Sequence, residues 1–391
     1  MTIPRMISSD DHVIEPPDLW TSRVSGPDAE RVPRVVADEE QDVWVVDGQK
    51  TGSFAAGLQP GKRFTDPGHL VTGGRFADVR PGGFDAAAHV LDNESDGIVA
   101  SLLYPTLGLS LFRSMKDSRL LTLICRIYND WLVEYCSIEP AHLHGVAMVN
   151  VDDPKQAAAE LVKNSERGMV GAFIPTALPA GVTYADREFE PFFATAQELG
   201  WPLSLHLGAV RNGAPASDVG FSTATLSRTY FVTIEDYCKA SLADMLFSGL
   251  FDKFPRLRVG SIEHELGWIP HFVERLDYTY TQRQGNHLFP KLKDGAMPSD
   301  HFRRNCFCSF QEDALGIAYR HTIGLDGLMF GSDYPHTEST FPKSREIMED
   351  RLGGVPTEEQ RMIVFDNANR LYGLGVDPKV WDDAMAEEIE R

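Results

Sequence analysis

Acids and histidines follow four apolar segments of the chain, at the point where each segment ends. The first segment ends in Asp10-Asp11-His12, and Glu15 follows three residues later. Two more end in His206 and in Glu263-His264-Glu265, and the last runs into Asp333-Tyr334-Pro335-His336. A mixture of imidazole and carboxylate groups suits zinc, manganese or iron. The sequence therefore predicts a metal site built from these side chains.

Each of these residues, taken alone, also has an ordinary interpretation. A histidine at a strand end often does no more than bond to backbone groups, and Glu15 before Pro16-Pro17 is equally typical of a solvated turn. Glu263 and Glu265 point to opposite faces from His264, so all three cannot enter one site. Several acids together are different, because crowded carboxylates repel one another unless a cation or protons neutralise them. A metal ion is the simplest neutraliser.

The elements that must position these residues are short apolar strands alternating with longer amphipathic helices. Repeated alternation of this kind implies a parallel sheet. Roughly eight strands favour a (β/α)8 TIM barrel, which collects its chemistry at the carboxyl ends of the strands. After the first strand, which ends at His12, strands are predicted at 97–104, 144–149, 171–174, 202–207, 258–262, 306–310 and 327–330, and the clearest helices at 117–136 and 153–168.

Residues 34–90 interrupt this alternation. A hairpin is predicted at 44–50, and 57–84 is rich in glycine, proline and arginine. Long irregular segments of this kind often form lids or binding loops, so we expect 34–90 to lie over the barrel mouth, together with a second insertion at 208–232. Residues 1–391 are predicted to form a single barrel domain that ends in a helical extension at 375–391.

Composition excludes several classes of function. The 37 basic residues against 57 acidic ones give a net charge of −20, which argues against partners such as nucleic acid or an anionic membrane surface. No apolar stretch reaches the roughly 18 residues of a membrane span, and the first residues lack the apolar core of a signal peptide. The 5 cysteines are too few and too scattered for a disulfide framework. These features predict a cytoplasmic protein.

With these residues assembled, the chain resembles the second amidohydrolase family, that of aminocarboxymuconate-semialdehyde decarboxylase and γ-resorcylate decarboxylase. The resemblance is carried by Asp10-x-His12, Leu205-His206, His264 with Trp268-Ile269-Pro270 and Arg275, Gly331-Ser332-Asp333-Tyr334-Pro335-His336, and the closing segment 366–373. It implies a metal-bearing barrel in which Asp10, His12, His206 and Asp333 are ligands. It also implies that His264 is the catalytic histidine, assisted by Asp333. We expect Arg275, Tyr104 and His336 to contact the substrate.

The chain departs from the family pattern in its acids. Asp10 stands where the family has a histidine or glutamate, Glu15 and Glu263 are additional, and no lysine stands at a strand end to bridge two metals. A carboxylate-rich set favours iron or manganese and is large enough for two ions. A small branch of the family is similar in these acids, namely nonheme diiron monooxygenases that act on bulky natural-product acid thioesters. The ligand set predicted for two irons is Asp10, His12, Glu15, His206, Glu263, His264 and Asp333.

The sequence leaves three functions open. The acid count favours the diiron monooxygenase, which would need O₂ and an external electron donor to hydroxylate a large apolar acid or its thioester. Family base rates favour a redox-neutral hydrolase or decarboxylase with a single zinc or manganese, in which His264 moves the proton. An inactive binding barrel is the third interpretation. A homodimer is expected in each case.

Overall fold

The apolar segments of the chain form one parallel sheet that curls into a barrel. The computed structural model describes residues 3–214, 221–222, 225–226, 232–283 and 289–390. Its strands are β1 (Met6–Val13), β2 (Arg34–Ala37), β3 (Asp42–Val46), β4 (Gln49–Ser53), β5 (Ile98–Pro105), β6 (Leu143–Met148), β7 (Gly171–Ile174), β8 (Leu203–His206), β9 (Phe221–Ser222), β10 (Thr225–Leu226), β11 (Val259–Ile262), β12 (Cys306–Phe310) and β13 (Leu328–Phe330). The parallel sheet has the order β1-β5-β6-β7-β8-β11-β12-β13.

The first and last strands of this sheet meet and complete the barrel. Asp333 N–H donates to the Asp10 carbonyl at 2.7 Å, and His12 N–H donates to the Tyr334 carbonyl at 2.6 Å. A Cβ atom on Gly331 would lie 2.6 Å from Asp10 Cβ, so the close approach of the two strands requires glycine there. The predicted (β/α)8 barrel is confirmed.

Helices cover the outside of the barrel. They are α1 (Lys62–Thr65), α2 (Ala86–Ser95), α3 (Leu107–Ser114), α4 (Ser118–Cys136), α5 (Pro154–Ser165), α6 (Glu190–Leu199), α7 (Asp236–Phe247), α8 (Leu250–Lys253), α9 (Ile269–Arg283), α10 (Pro298–Asn305), α11 (Ala314–Ala318), α12 (Arg320–Ile323), α13 (Ser344–Arg351), α14 (Thr357–Arg361), α15 (Asn367–Tyr372) and α16 (Lys379–Glu390). In α4, Leu121, Ile124, Tyr128 and Leu132 are buried at helical spacing, and the Asp117 carboxylate caps the first turn.

The segment between β1 and β5 forms a small antiparallel sheet of its own, in the order β2-β3-β4. Asp47 and Gly48 make the turn of the predicted hairpin, both with positive φ. Arg63 Nε donates to the Ser339 carbonyl at 2.9 Å, and the Arg63 guanidinium also pairs with Glu312. Glu312 and Ser339 lie in the loops after β12 and β13, so this segment contacts the carboxyl ends of the barrel strands.

The second predicted insertion, 208–232, lies largely outside the described residues, which omit 215–220, 223–224 and 227–231. Within the part of the chain that the structure describes, no helix is long and apolar enough to span a membrane.

A buried acid joins the end of α2 to the start of α13 and makes the stability of the barrel depend on pH. Asp96 is 3% exposed, accepts from Ser344 N–H at 2.9 Å and is also bonded to the Ser344 hydroxyl. Burial raises the pKa of Asp96 to about 7. In the unfolded chain an aspartate has a pKa of about 3.9, so the folded state binds the extra proton. Stability is therefore lost as the pH rises from about 4 to about 7.

The variant Asp96→Asn keeps the oxygen that accepts from Ser344 N–H and cannot ionise. The difference in melting temperature between Asp96→Asn and the wild type is expected to change in favour of the variant by at least about 2 °C as the pH rises from about 5 to about 8. Thermal unfolding across this range, with the exposed Asp383→Asn as control, measures the difference. Melting curves of Asp96→Asn and wild type that keep the same separation at every pH would contradict the assignment.

Candidate metal centre

β1 carries two inward-facing side chains of the site. Asp10 and His12 lie on the same face because side chains alternate along a strand, and they are 1% and 0% exposed. His12 Nδ1 lies 2.9 Å from the Pro105 carbonyl, to which it donates its hydrogen. The lone pair therefore resides on His12 Nε2, which lies 3.4 Å from Asp10 Oδ1. This is the tautomer that a metal ligand needs.

β8 and β11 add a histidine and a glutamate to the same place. His206 Nδ1 donates to the Leu207 carbonyl at 2.8 Å, and His206 Nε2 lies 3.1 Å from Asp10 Oδ1. Glu263, directly after β11, places Oε2 3.7 Å from His206 Nδ1. Ligand atoms of Asp10, His12, His206 and Glu263 all lie within 4.8 Å of one another. Four predicted ligands therefore meet in one group, of which Asp10, His12 and His206 are buried and Glu263 is partly exposed.

The residues after β13 form a second group that shares His12 with the first. Asp333 Oδ1 lies 3.3 Å from His12 Nε2 and 2.7 Å from His336 Nδ1. The His336 ring stacks on the His12 ring with 3.9 Å between centroids, and its Nε2 lies 2.8 Å from Thr106 Oγ1. Ligand atoms of His12, Asp333 and His336 meet within the same 4.8 Å limit. His336 thus lies beside the metal ligands.

Two of the site acids occupy a backbone conformation that costs free energy. Glu263 and Asp333 have φ angles of 64° and 61°, in the left-handed region that disfavours side chains other than glycine. Such residues cost on the order of 1–3 kcal/mol each and concentrate at functional sites. Glu263 directly follows β11 and Asp333 stands three residues after β13, so the strained turns direct their carboxylates into the barrel.

The buried carboxylates divide protons among themselves. Burial raises the pKa of Glu263 and of Asp333, and the neighbouring Asp10 charge raises both further. Burial acts on Asp10 in the same direction, but the neighbouring His206 and His12 outweigh it and hold the pKa of Asp10 below its usual range. Without a cation, burial and the Asp10 charge therefore favour the protonated forms of Glu263 and Asp333. A divalent ion held by Asp10, His12, His206 and Glu263 would displace the proton of Glu263.

Three histidines of the site, His12, His264 and His336, are neutral at neutral pH. Burial lowers the pKa of His12 to about 3, with a further contribution from His336. Burial likewise lowers the pKa of His264 to about 3 and that of His336 to about 4. Neutral imidazole is the form that binds metal, so these shifts suit ligation.

The site leaves polar atoms without partners in a region closed to water. Asp10 Oδ2, His12 Nε2 and Asp333 Oδ2 are buried and have no hydrogen-bond partner among the described residues. Buried polar atoms in this state cost free energy unless something binds them. Carboxylate oxygen and imidazole nitrogen are ligands of manganese and zinc. The residues therefore fit a divalent metal ion.

The structure does not bring Glu15 into either group, contrary to the expectation from the sequence. Its two carboxylate oxygens accept from Leu107 N–H and Gly108 N–H, each at 2.9 Å. These are first-turn amides of α3, whose unpaired N–H groups attract an acid. His264, also predicted as a ligand, lies outside both groups as well. Its Nδ1 faces Ser261 Oγ at 3.0 Å, while its pKa responds to His206 and Asp10 nearby.

Two predicted substrate contacts are placed elsewhere. The Tyr104 ring packs 4.6 Å from the His206 ring, but its hydroxyl bonds to Ser204 Oγ at 2.9 Å, and the side chain is fully buried. Tyr104 therefore packs against the ring of His206. Arg275 lies on an exposed face of α9, with its guanidinium 4.5 Å from the Tyr278 ring centroid. Its contact with the substrate remains a prediction.

Sequence reasoning missed two polar neighbours of the site. Thr106, which bonds to His336, directly follows β5, and Gln311, which directly follows β12, lies close enough to Asp333 to influence its pKa. Both stand at the carboxyl end of a barrel strand. The rule that singled out the acids and histidines would therefore have found them if amides and hydroxyls had been included.

Fold and site together define the class of the protein. It is a TIM barrel with buried imidazoles and carboxylates converging at the carboxyl ends of its strands, the arrangement of a metal-dependent barrel enzyme. Residues 102–374 match the sequence profile of the amidohydrolase family, and the chain belongs to that family.

Several proteins that are similar to this chain in sequence or structure are decarboxylases. γ-Resorcylate decarboxylase of Polaromonas sp. strain JS666 is 26% identical over 313 residues, covering 77% of this chain and 89% of the relative. An amidohydrolase structure from Mycobacterium avium subsp. paratuberculosis K-10 matches with a TM-score of 0.77 at 23% identity, over 95% of this chain and 99% of that one. A dihydroxybenzoic acid decarboxylase of Polaromonas sp. JS666, with bound manganese and the inhibitor 2-nitroresorcinol, matches with a TM-score of 0.64 at 20% identity, over 96% and 98%. At these identities the structural matches establish the fold.

Proposed function

We propose that this chain is a non-oxidative decarboxylase that removes CO₂ from a hydroxylated aromatic acid with the help of one divalent metal ion, manganese or zinc. The observation that carries the proposal is the convergence of Asp10, His12, His206 and Glu263 in one group. The decarboxylases among its relatives support the reaction class, and the manganese in one structural neighbour supports the metal.

The four converging residues are the proposed ligands. A divalent ion held there would polarise the oxygens of the substrate's carboxylate and of an adjacent hydroxyl group. The fixed tautomers of His12 and His206, each set by a backbone carbonyl, present a lone pair to the ion without rearrangement. Tyr104 packs against His206 and holds its ring in place.

The reaction needs a proton donor and no oxidant. A proton is added to the ring carbon that bears the carboxylate, the bond from that carbon to the carboxylate breaks, its electron pair returns to the ring, and CO₂ leaves. Asp333 is the proposed donor, since burial and the Asp10 charge favour its protonated form. His336, 2.7 Å from Asp333 and bonded to Thr106, orients the carboxyl group. His264 lies next to the ligands as a neutral imidazole that can pass the proton on.

This proposal reverses the preference for an oxygenase that the acid count suggested. Glu15, one of the acids on which that preference rested, instead accepts hydrogen bonds from the first amides of α3. One observation still favours a metal pair, namely the second group of His12, Asp333 and His336. A diiron site is therefore the second candidate. O₂ and an electron donor belong to that candidate alone, and the homodimer remains a prediction.

We also propose that residues 34–90 close over the substrate within a single barrel domain, 1–391, with 375–391 as a helical extension. The contacts of Arg63 with the loops after β12 and β13 support this role, because those loops flank Asp333. A cover of this kind excludes water, which strengthens the electrostatic interactions inside the site.

The test is an assay of CO₂ release with O₂ excluded. The protein is purified anaerobically, its metals are counted, and it is reconstituted with Mn²⁺ or Zn²⁺ and incubated with a panel of hydroxybenzoic acids that includes γ-resorcylate. We expect stoichiometric CO₂ and the corresponding phenol with one metal per chain, and no product after chelation. Two irons per chain, with product formed only when O₂ and a reductant are supplied, would refute the decarboxylase and establish the second candidate.

A further inference from the structure

Between the two inward-facing residues of β1 stands an acid that faces the other way. Asp11 is fully buried and lies outside both groups of metal-ligating residues. Its Oδ1 accepts from Ser8 Oγ at 2.7 Å and from Tyr334 N–H at 3.3 Å. Its Oδ2 accepts from Ser101 Oγ at 2.6 Å and from Asn93 Nδ2 at 3.0 Å. The two carboxylate oxygens of Asp11 thus accept hydrogen bonds from different sets of residues.

The Oδ1 side reaches the turn that carries Asp333. Ser332 N–H donates to Ser8 Oγ at 2.8 Å, and Tyr334 N–H donates to Asp11 itself. The residues on both sides of Asp333 are therefore tied to Asp11, one through Ser8 and one directly. The register of β1 against β5 shifts between Ser8 and Asp11, which allows both side chains to face this turn.

The Oδ2 side reaches different elements. Ser101 belongs to β5 and Asn93 to α2, and neither lies in the turn after β13. Ser8 and Ser101 are nevertheless closely matched. Both side chains are fully buried, both donate to Asp11, and both accept one further hydrogen bond, from Ser332 N–H and from Asn93 Nδ2. Ser8 Oγ differs in that it also lies 3.1 Å from the Asp10 carbonyl.

We propose that Asp11 is a positioning residue, which holds the turn of residues 332–334 against β1 and so fixes Asp333 relative to Asp10 and His12. The inference rests on the proposed function only in treating Asp333 as a working residue of the site. Asp333 needs such support because its left-handed backbone is disfavoured. A displacement of about 1 Å at a reacting group can lower a rate by about 100-fold, so the turn is a place where hydrogen bonds affect turnover.

The matched serines separate positioning from general stability. Ser8→Ala removes the link to the turn, whereas Ser101→Ala removes a hydrogen bond of similar length on the other side of the same carboxylate. The full chain is titrated with Mn²⁺, free metal is followed by electron paramagnetic resonance, and melting temperature, kcat and KM are measured for each variant. We expect similar losses of melting temperature in both variants.

Ser8→Ala is expected to lower kcat by at least about tenfold with KM almost unchanged, and to weaken Mn²⁺ binding by at least about fivefold. Ser101→Ala is expected to keep both quantities within about twofold of the wild type. Equal changes of kcat and Mn²⁺ affinity in the two variants would overturn the proposal, and so would wild-type values in both.

Asp11→Asn is a second variant that does not depend on the serines. An asparagine keeps one oxygen for Ser8 and Tyr334, but its amide opposes the Asn93 amide. We expect it to lose stability and to weaken Mn²⁺ binding by less than Ser8→Ala does, because the link to the turn is retained. A loss of Mn²⁺ affinity as large as that of Ser8→Ala would count against the proposal. If wild-type protein releases CO₂ from no acid tested, the proposed function fails, while the Mn²⁺ titrations still decide the role of Asp11.

Discussion

Protein carrying His206→Ala is expected to lose its divalent metal, with affinity reduced by roughly 100-fold or more, and its decarboxylase activity with it. His206 belongs to the converging group, and its Nε2 lies 3.1 Å from Asp10 Oδ1 in a fully buried site. Its removal leaves a cavity and deprives Asp10 of the group that holds its pKa below the usual range. The remaining acids would then compete more strongly for protons, which oppose metal binding.

A second buried histidine provides the control. His301 is 1% exposed, contacts Asp252 and Arg304, and lies outside both metal-ligating groups. His301→Ala should destabilise the fold to a comparable degree and keep the metal. Elemental analysis and calorimetric titration with Mn²⁺ measure both variants. Wild-type metal content in His206→Ala, or equal metal loss in His301→Ala, would show that His206 is not a ligand.

Asp333→Asn is expected to lower kcat by about 10² to 10⁴ with a small change in KM, because an amide cannot supply the proton. Asparagine preserves the size of the side chain and is among the residues that best tolerate the left-handed backbone at this position. The loss should therefore reflect chemistry more than folding. The pKa of Asp333 is raised by burial and by Asp10, and only its protonated form donates, so kcat of the wild type should fall on the alkaline side as this proton is lost.

The matched control for Asp333→Asn is Glu265→Gln. Glu265 also follows a barrel strand, has a φ of 55°, and has a pKa that burial raises to about 7, yet it lies outside both metal-ligating groups. Turnover of Glu265→Gln should stay within about threefold of the wild type. The pH dependence of kcat decides whether Asp333 or another group supplies the proton. An alkaline limb that persists in Asp333→Asn would assign the proton to another group.

Much of the site followed from one rule applied to the sequence. Asp10, His12, His206 and Glu263 each stand at the end of an apolar strand, and the carboxyl ends of parallel strands meet at one face of a barrel. The strands at 171–174 and 306–310 were predicted at the bounds that β7 and β12 have. Local patterns thus fix which residues share a face when the periodicity is strict.

The errors arose where a residue's partner lies far away in the chain. Glu15 is held by amides of α3, some ninety residues later, and nothing in its own neighbourhood indicates where that helix begins. Arg275 is a different case, because its exposed position could be predicted from the sequence. Phe272, Val273 and Leu276 form the buried face of α9, and helical spacing places Arg275 outside it. For Arg275, the prediction relied on the family resemblance although the helical periodicity indicated an exposed position. The left-handed turns at Glu263 and Asp333 carry no glycine that would have revealed them.

The meeting of β1 with β13 has a consequence for the order in which the protein matures. Asp11 and Tyr334 are bonded although 323 residues separate them, and the neighbouring Asp10 and Asp333 are as far apart. A chain leaving the ribosome would hold the first part of the site long before the last part exists, and closing so long a loop is an entropic obstacle to folding. Metal loading would have to wait for the ligand Glu263, and the ion, once bound, would hold β1 against β8 and β11.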